Sequence, residues 1–199
     1  MCGILAVNLR NGETCDFGSS ISSIQHRGPD DQGMFVSNDC KTHLAQVRLS
    51  IIDLSEAGHQ PMVDASGRYV IIYNGEIYNY EELKEELAKK YSIVSWRSVT
   101  DTEVIVEGFA REGLSFLSKL NGIFSLVIYD CYKNFLHVLR DPFGIKPLFY
   151  TRQNDGVYFC SELKGLLAIE TLNRTIRQQS LSDQLAFMYV PEPYTLYNE

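Results

Sequence analysis

No apolar run in this 199-residue sequence approaches the ~20 residues that a membrane-crossing helix needs. The apolar stretch that opens the chain has no basic residue before it and meets Arg10 at once, the wrong length and flanks for a signal peptide. Basic residues are in deficit. Eighteen Lys and Arg stand against 25 Asp and Glu, a formal net charge of −7 with a pI near 5.1. That balance excludes the basic footprint of a nucleic-acid binder and argues against an anionic membrane surface as partner. Cysteines at metal-ligand spacing are missing too. Cys2, Cys15, Cys40, Cys131 and Cys160 are odd in number, irregularly spaced and contain no C-x-x-C. They suit neither a disulfide framework nor a zinc site, so no metal is assigned, and reduced thiols in a cytoplasmic protein are the simplest reading. Internal repeats and low-complexity tracts are absent.

What remains is ordinary globular material, 45% hydrophobic and 22% charged. A chain of this length buries about 70% of the surface it exposes when unfolded, so it needs no staple. Residues 3–9 read as a buried strand, with Asn11-Gly12 as a tight turn behind it. A helical turn is predicted around Ser20–Gln25, and HRGPDDQG reads as a polar loop. Strands are predicted at Met34–Ser37, Thr42–Val47 and Tyr69–Tyr73, the last ending in Asn74-Gly75. Asn79 with Glu82, and Thr100 with Glu103, have capping-box spacing and predict two helices. In the first, Glu85–Lys89 and Glu86–Lys90 are spaced to pair. Ile123–Tyr129 reads as a strand covered on both faces, paired with Phe135–Leu139. A hairpin is predicted across Asn154-Asp155-Gly156, and short helices at Leu163–Ile169 and Leu181–Tyr189. Many short strands around few helices predict an α+β fold of stacked sheets rather than βαβ units.

Cys2 stands behind the initiator methionine. If Met1 is removed, one residue carries a thiol and a free α-amine, whose reference pKa is about 7.7–8.0. A neutral amine beside a thiol serves as its general base, as in N-terminal threonine hydrolases. No imidazole is then required, and His26, His43, His59 and His137 show no pairing with a cysteine in the sequence. Taken alone, the same residue also reads as a small buried apolar side chain.

Six segments occur in a telling order: MCGI at the start, HRGPD at 26–30, RLSIID at 48–53, NGEIYN at 74–79, TDTEV at 100–104 and RDPFGIKPL at 140–148, with SELK at 161–164. Together they resemble the glutaminase domain of glutamine-hydrolysing asparagine synthetases, a class II (N-terminal nucleophile) glutamine amidotransferase. The resemblance runs over roughly residues 2–190. It implies a four-layer αββα sandwich of two mainly antiparallel sheets, and hydrolysis of glutamine to glutamate and ammonia through a Cys2 thioester. It also implies that Asn74 and Gly75 form the oxyanion hole. An Asn-Gly pair suits that task, with a side-chain amide and an unhindered backbone N–H; one such donor is worth ~3–4 kcal/mol. By the same resemblance Arg48 grips the α-carboxylate of glutamine, a pairing that a guanidinium makes through two parallel hydrogen bonds. Glu76 and Asp101 match the ammonium-binding acids, and Leu49, Ser50, Ile51 and Ile52 line the pocket with Asn74 and Gly75. Arg27 receives no chemical role, although its loop is placed to close over the site. Arg140 and Asp141 read as structural partners.

The sequence departs from the family pattern at Ala6, where glycine is usual, and at Gln46, where a histidine commonly stands. No S-G-G-x-D-S pyrophosphate loop occurs in these residues. ATP and Mg are therefore expected only in a separate or missing synthetase domain, with no cofactor in this chain. Pro191 and Pro193 suggest that residues 191–199 begin the linker to that domain. The expected partners are glutamine and a synthetase domain or subunit that accepts the ammonia, with a homodimer left open. Two alternatives stand beside this reading. One is an amidotransferase for another carboxylate or a sugar, since TDTEV also resembles a segment of glucosamine-phosphate synthases. The other is a truncated, non-catalytic glutamine-binding remnant.

Overall fold

The computed structural model describes residues 1–11, 17–51, 53–153 and 156–198. Two antiparallel sheets lie face to face. The first runs in the order β2 (Asp31–Val36), β3 (Thr42–Arg48), β1 (Gly3–Leu9), β9 (Gly156–Cys160), β8 (Phe149–Gln153). The second runs β4 (Met62–Val63), β5 (Tyr69–Ile77), β6 (Gly122–Asp130), β7 (Phe135–Arg140). Helices α1 (Gly18–Ile24) and α5 (Leu163–Leu167) cover the first sheet. Helices α2 (Tyr80–Tyr91), α3 (Asp101–Glu112) and α4 (Leu114–Leu117) cover the second, and α6 (Gln178–Phe187) follows near the C-terminus.

Strand alternation explains the four layers. In β1, Leu5, Val7 and Leu9 pack outward against Ile21, Ile24 and Leu166, while Ile4 and Ala6 face the other sheet. In β6, Phe124, Leu126 and Ile128 pack under α2 and α3, while Val127 and Tyr129 face inward. Three apolar clusters thus fill the three gaps of an αββα sandwich, the predicted architecture. Strands buried on both faces lose their polar alternation, which is why β1 and β6 read as nearly unbroken apolar runs.

Several expectations change. HRGPDDQG is not a free polar loop: Asp30 N–H donates to the carbonyl of Arg48 (3.0 Å), and β2 begins at Asp31. Ladder hydrogen bonds to β3 override the loop-like composition of the segment's second half. Asn74-Gly75 is neither a turn nor a strand end. β5 continues to Ile77, with Asn74 opposite Ser125 and Gly75 opposite Phe124. The box at Asn79 does not form, because its amide donates to the Lys119 carbonyl and its Oδ1 accepts from Asn121 N–H. Thr100 caps α3, accepting from Glu103 N–H, but the Glu103 carboxylate turns to Arg97 and Ser98. Glu85–Lys89 pairs as predicted; Glu86 and Lys90 instead reach Lys119 and Glu112. The last two helices start or stop within a few residues of their predicted limits. The β8–β9 hairpin forms, while its tip at 154–155, Gly12 and Cys15 lie outside the described residues. The four described cysteines are free thiols. Residues 196–198 run back along 175–177, with Ile176 opposite Tyr197.

Candidate active site

Alternation also decides what meets at one end of the gap between the sheets. Counting back along β1, Cys2 falls on the same face as Ile4 and Ala6. Arg48, at the end of β3, follows the inward-facing Gln46 and Leu44. On β5, Asn74 and Glu76 follow Val70 and Ile72 on the inner face. Cys2, Arg48, Asn74, Gly75, Glu76 and Asp101 line one cavity, together with the loop residues Leu49 and Ile51. Ile51 is exposed, at the mouth. Ser50 belongs instead to the neighbouring cleft beside Asp30, His59 and Arg48, and its N–H donates to Asp30 (2.8 Å). Ile52 lies outside the described residues.

Cys2 is half-buried, with Sγ 3.8 Å from the carbonyl oxygen of Leu49. Its own carbonyl accepts from Arg27 Nε at 2.9 Å. Met1 precedes it at the cavity rim and is exposed. Arg48 is buried, and the loop after it supplies acceptors: Nη1 donates to the Ser55 carbonyl (3.2 Å) and Nη2 to the Asp53 carbonyl. Gly58 permits that packing, because a Cβ there would stand 2.0 Å from Arg48 Nη2. The loop is folded by Asp53, whose Oδ1 accepts from the hydroxyl and the N–H of Ser55. Those two bonds hold the Asp53 carboxyl below the ordinary range.

The outer edge of β5 carries the sharpest detail. Opposite Gly75, Phe124 spends both its N–H and its carbonyl on Asp141, on the β7 side. Gly75 is therefore in a pair without mutual hydrogen bonds, and its N–H points away from β6. Tyr73 and Ile77 share that orientation. Tyr73 N–H donates to Gln60 Oε1 (2.7 Å) and Ile77 N–H to Asp101 Oδ2 (3.1 Å). The Gly75 N–H lies between them, and neither side chain takes it. Gly75 must lack a side chain for another reason: a Cβ would stand 2.3 Å from the Ile123 carbonyl. Beside it, Asn74 is buried and its Nδ2 has no partner among the described residues.

Asp101 is buried at the start of α3, which raises its pKa above the ordinary value; the Tyr73 hydroxyl and the Ile77 N–H oppose that shift. Tyr73 Oη donates to Asp101 Oδ2 at 2.7 Å. Gln46, the departure noted above, is fully buried and donates from Nε2 to the Tyr73 carbonyl (3.4 Å), tying the two sheets behind the site. Ala6 packs in the same inter-sheet gap.

Asp53, Gly58, Gln60, Tyr73, Thr100, Thr102 and Lys146 also line the cavity and went unassigned in the sequence. Gln60 and Thr102 hold each other (3.1 Å); two polar residues 42 positions apart leave no local pattern. Lys146 is delivered by the 140–146 turn, in which Arg140 donates to the Lys146 and Gly144 carbonyls. Asp141 accepts from the N–H groups of Phe143, Ile145 and Lys146. Arg140 and Asp141 are thus the structural partners the sequence suggested. The basic residue inside an otherwise turn-forming motif was the available signal for Lys146.

Comparison with known proteins gives a consistent answer. A family profile described as a glutamine amidotransferase domain matches residues 1–199. The chain is 41% identical over 203 residues to asparagine synthetase [glutamine-hydrolyzing] 1 of Bacillus subtilis (98% of this chain, 31% of that one). It is 36% identical over 218 residues to putative asparagine synthetase [glutamine-hydrolyzing] 2 of Methanocaldococcus jannaschii (99% of this chain, 41% of that one). The chain thus spans about a third to two fifths of these relatives' length. Among solved structures, the glutamine phosphoribosylpyrophosphate amidotransferase of B. subtilis superposes with a TM-score of 0.72 at 20% identity, covering 84% of this chain and 43% of that one; it shares the fold. A cavity that gathers an N-terminal cysteine, a buried asparagine and an inward arginine, inside a four-layer sandwich matched along its whole length, identifies this chain as a member of the glutamine amidotransferase domain family.

Proposed function

We propose that this chain is a glutaminase that hydrolyses free glutamine through a thioester on Cys2 and passes ammonia to a synthetase partner that amidates aspartate. The observation that carries the reading is the meeting of Cys2, Arg48, Asn74 and Asp101 in one cavity, from four places distant in sequence. Free glutamine offers three groups to match: an α-carboxylate for Arg48, an α-ammonium for Asp101 and Glu76, and a side-chain amide for Cys2.

The chemistry follows from this chain's own groups. With Met1 removed, the Cys2 α-amine takes the thiol proton as sulfur bonds to the side-chain carbonyl carbon. The carbonyl π bond opens to an oxyanion, which Asn74 Nδ2 and Gly75 N–H stabilise. Neither donor is taken by a protein partner described above, so no bond must break to receive that charge. The C–N bond then breaks, and the leaving nitrogen takes the proton from the α-amine and departs as ammonia. Water adds to the thioester, the C–S bond breaks, glutamate leaves and the thiol regains its proton. The sum is glutamine plus water to glutamate plus ammonia, with no cofactor from this chain. ATP and Mg belong to the acceptor half of the proposed reaction. A cytoplasmic setting fits free thiols and a glutamine supply; no helix among the described residues is long and apolar enough to cross a membrane.

The test is direct. Intact mass should show loss of Met1, and an electrophilic glutamine analogue should add one equivalent at Cys2. Glutamate release should vanish in Cys2→Ala. Retained Met1, or an unlabelled Cys2, would refute the reading. Product analysis with the synthetase partner present separates aspartate from other acceptors.

A further inference from the structure

A chain end frays unless something ties it down. On the proposed glutaminase reading, on which this inference rests, removal of Met1 makes Cys2 such an end. The β1–β3 ladder begins only at Gly3, opposite Val47. A side chain supplies the missing restraint: Arg27 Nε donates to the Cys2 carbonyl at 2.9 Å. The Arg27 side chain is only 8% exposed, and its Nη1 meets Glu162 Oε1 at 2.8 Å. Among the described residues Glu162 is the one carboxylate that Arg27 pairs with. Glu162 also takes His26 at 3.0 Å and Lys164 at 3.1 Å. Burial works against its charge, but hydrogen bonds from Arg27, Lys164 and His26 hold its carboxyl down to about 2.

The neighbouring residue in the SELK segment also grips β1. Ser161 Oγ accepts from Ile4 N–H and Ser161 N–H donates to the Ile4 carbonyl, both at 3.0 Å. Two consecutive residues after β9 therefore hold the start of the first strand, one at Ile4 and one, through Arg27, at Cys2. We propose that Glu162 is a positioning residue for the nucleophile: its carboxylate locks the Arg27 guanidinium, whose Nε fixes the Cys2 carbonyl and so sets where the thiol stands. A guanidinium is a rigid plane, so a carboxylate bound at Nη1 aims Nε. Without that partner Arg27 is an unpaired buried cation and turns toward water.

The experiment compares the full chain, Met1 removed, as wild type, Glu162→Gln and Glu162→Asp. Three quantities are read: kcat and KM for glutamine, and the second-order rate of Cys2 alkylation by iodoacetamide, with the site identified by peptide mass. Glu162→Gln should lower kcat and the alkylation rate by about 10- to 100-fold while KM stays within about twofold, because the thiol and not the glutamine site is displaced. Glu162→Asp should recover part of the loss. A folded Glu162→Gln with wild-type kcat and alkylation rate overturns the proposal. If Glu162→Gln does not fold, Glu162→Asp carries the test: unchanged kcat and alkylation overturn it, and a selective fall in both supports it. A wild-type chain that alkylates but shows no turnover sinks the glutaminase reading, and the alkylation rates then decide this proposal on their own.

Discussion

The phenolic oxygen of Tyr73 lies 2.7 Å from a carboxylate oxygen of Asp101, and both side chains are buried. Burial alone pushes the Asp101 carboxyl up, and the Tyr73 hydroxyl and Ile77 N–H pull it back. On the proposed reading, ionised Asp101 pairs with the α-ammonium of glutamine, so kcat/KM should fall as pH drops through its pKa. Tyr73→Phe removes one donor, raises that pKa further and should move the acid limb to higher pH. KM at neutral pH should rise by about tenfold, the ~1.4 kcal/mol of one charge-assisted hydrogen bond. The pH profile of kcat/KM in both proteins checks this; a superimposable acid limb would contradict it.

Asn74→Ala should reduce kcat by about 10²- to 10³-fold, as expected for one oxyanion donor. The fold should hardly notice, because Nδ2 has no protein partner described here. A thermal midpoint within about 3 °C of wild type, beside the loss of turnover, is the expected pair of results.

Gly75→Ala should do the reverse and damage the fold first. Its methyl group meets the Ile123 carbonyl and the Phe124 backbone, neither of which is a flexible side-chain end. Overpacking of this kind costs about 1–3 kcal/mol. Chemical denaturation should show a lower midpoint with an unchanged m-value.

Glu112 ties α2 to the approach of β6. Hydrogen bonds from Lys90 and Lys119 lower its carboxyl to about 2. A lowered native pKa contributes stability that is complete above the unfolded value near 4.3 and is lost as pH falls toward the native one. Glu112→Gln should therefore melt below wild type at pH 7, with the two curves converging as pH approaches about 2. Parallel melting curves at every pH would show that the pair contributes nothing.

The strands buried on both faces were legible because unbroken apolar runs such as Ile123–Tyr129 have few other uses in a chain of this size. The ordered motifs carried the cavity: Cys2, Arg48, Asn74, Gly75, Glu76 and Asp101 all line it. Local composition misled where a ladder decided the outcome. Asn-Gly has the residues of a turn, yet nine consecutive pairings to β6 keep it extended. HRGPDDQG looks like a loop until β3 is known to run beside it. Gln60 escaped because its position is set by a tertiary contact with Thr102, and nothing within a few residues of it announces a role at the cavity; Lys146 offered only a basic residue inside a motif read as turn-forming. Asn79 had the right spacing for a cap but found better partners across the fold.

Between Tyr73 and Ile77, among the described residues, the Gly75 amide is a gap in a guarded border. A sheet margin with free backbone groups ordinarily invites another polypeptide to lie alongside it. Here Gln60 and Asp101 occupy the slots on either side, at Tyr73 and Ile77. A peptide needs several successive openings to dock as an extra strand, and among the N–H groups of Tyr73, Gly75 and Ile77 one is left. On the proposed reading, the same arrangement that leaves a donor for a free amino acid gives a polypeptide little to pair with, so selectivity for a small molecule begins in the main chain before any side chain reads the ligand.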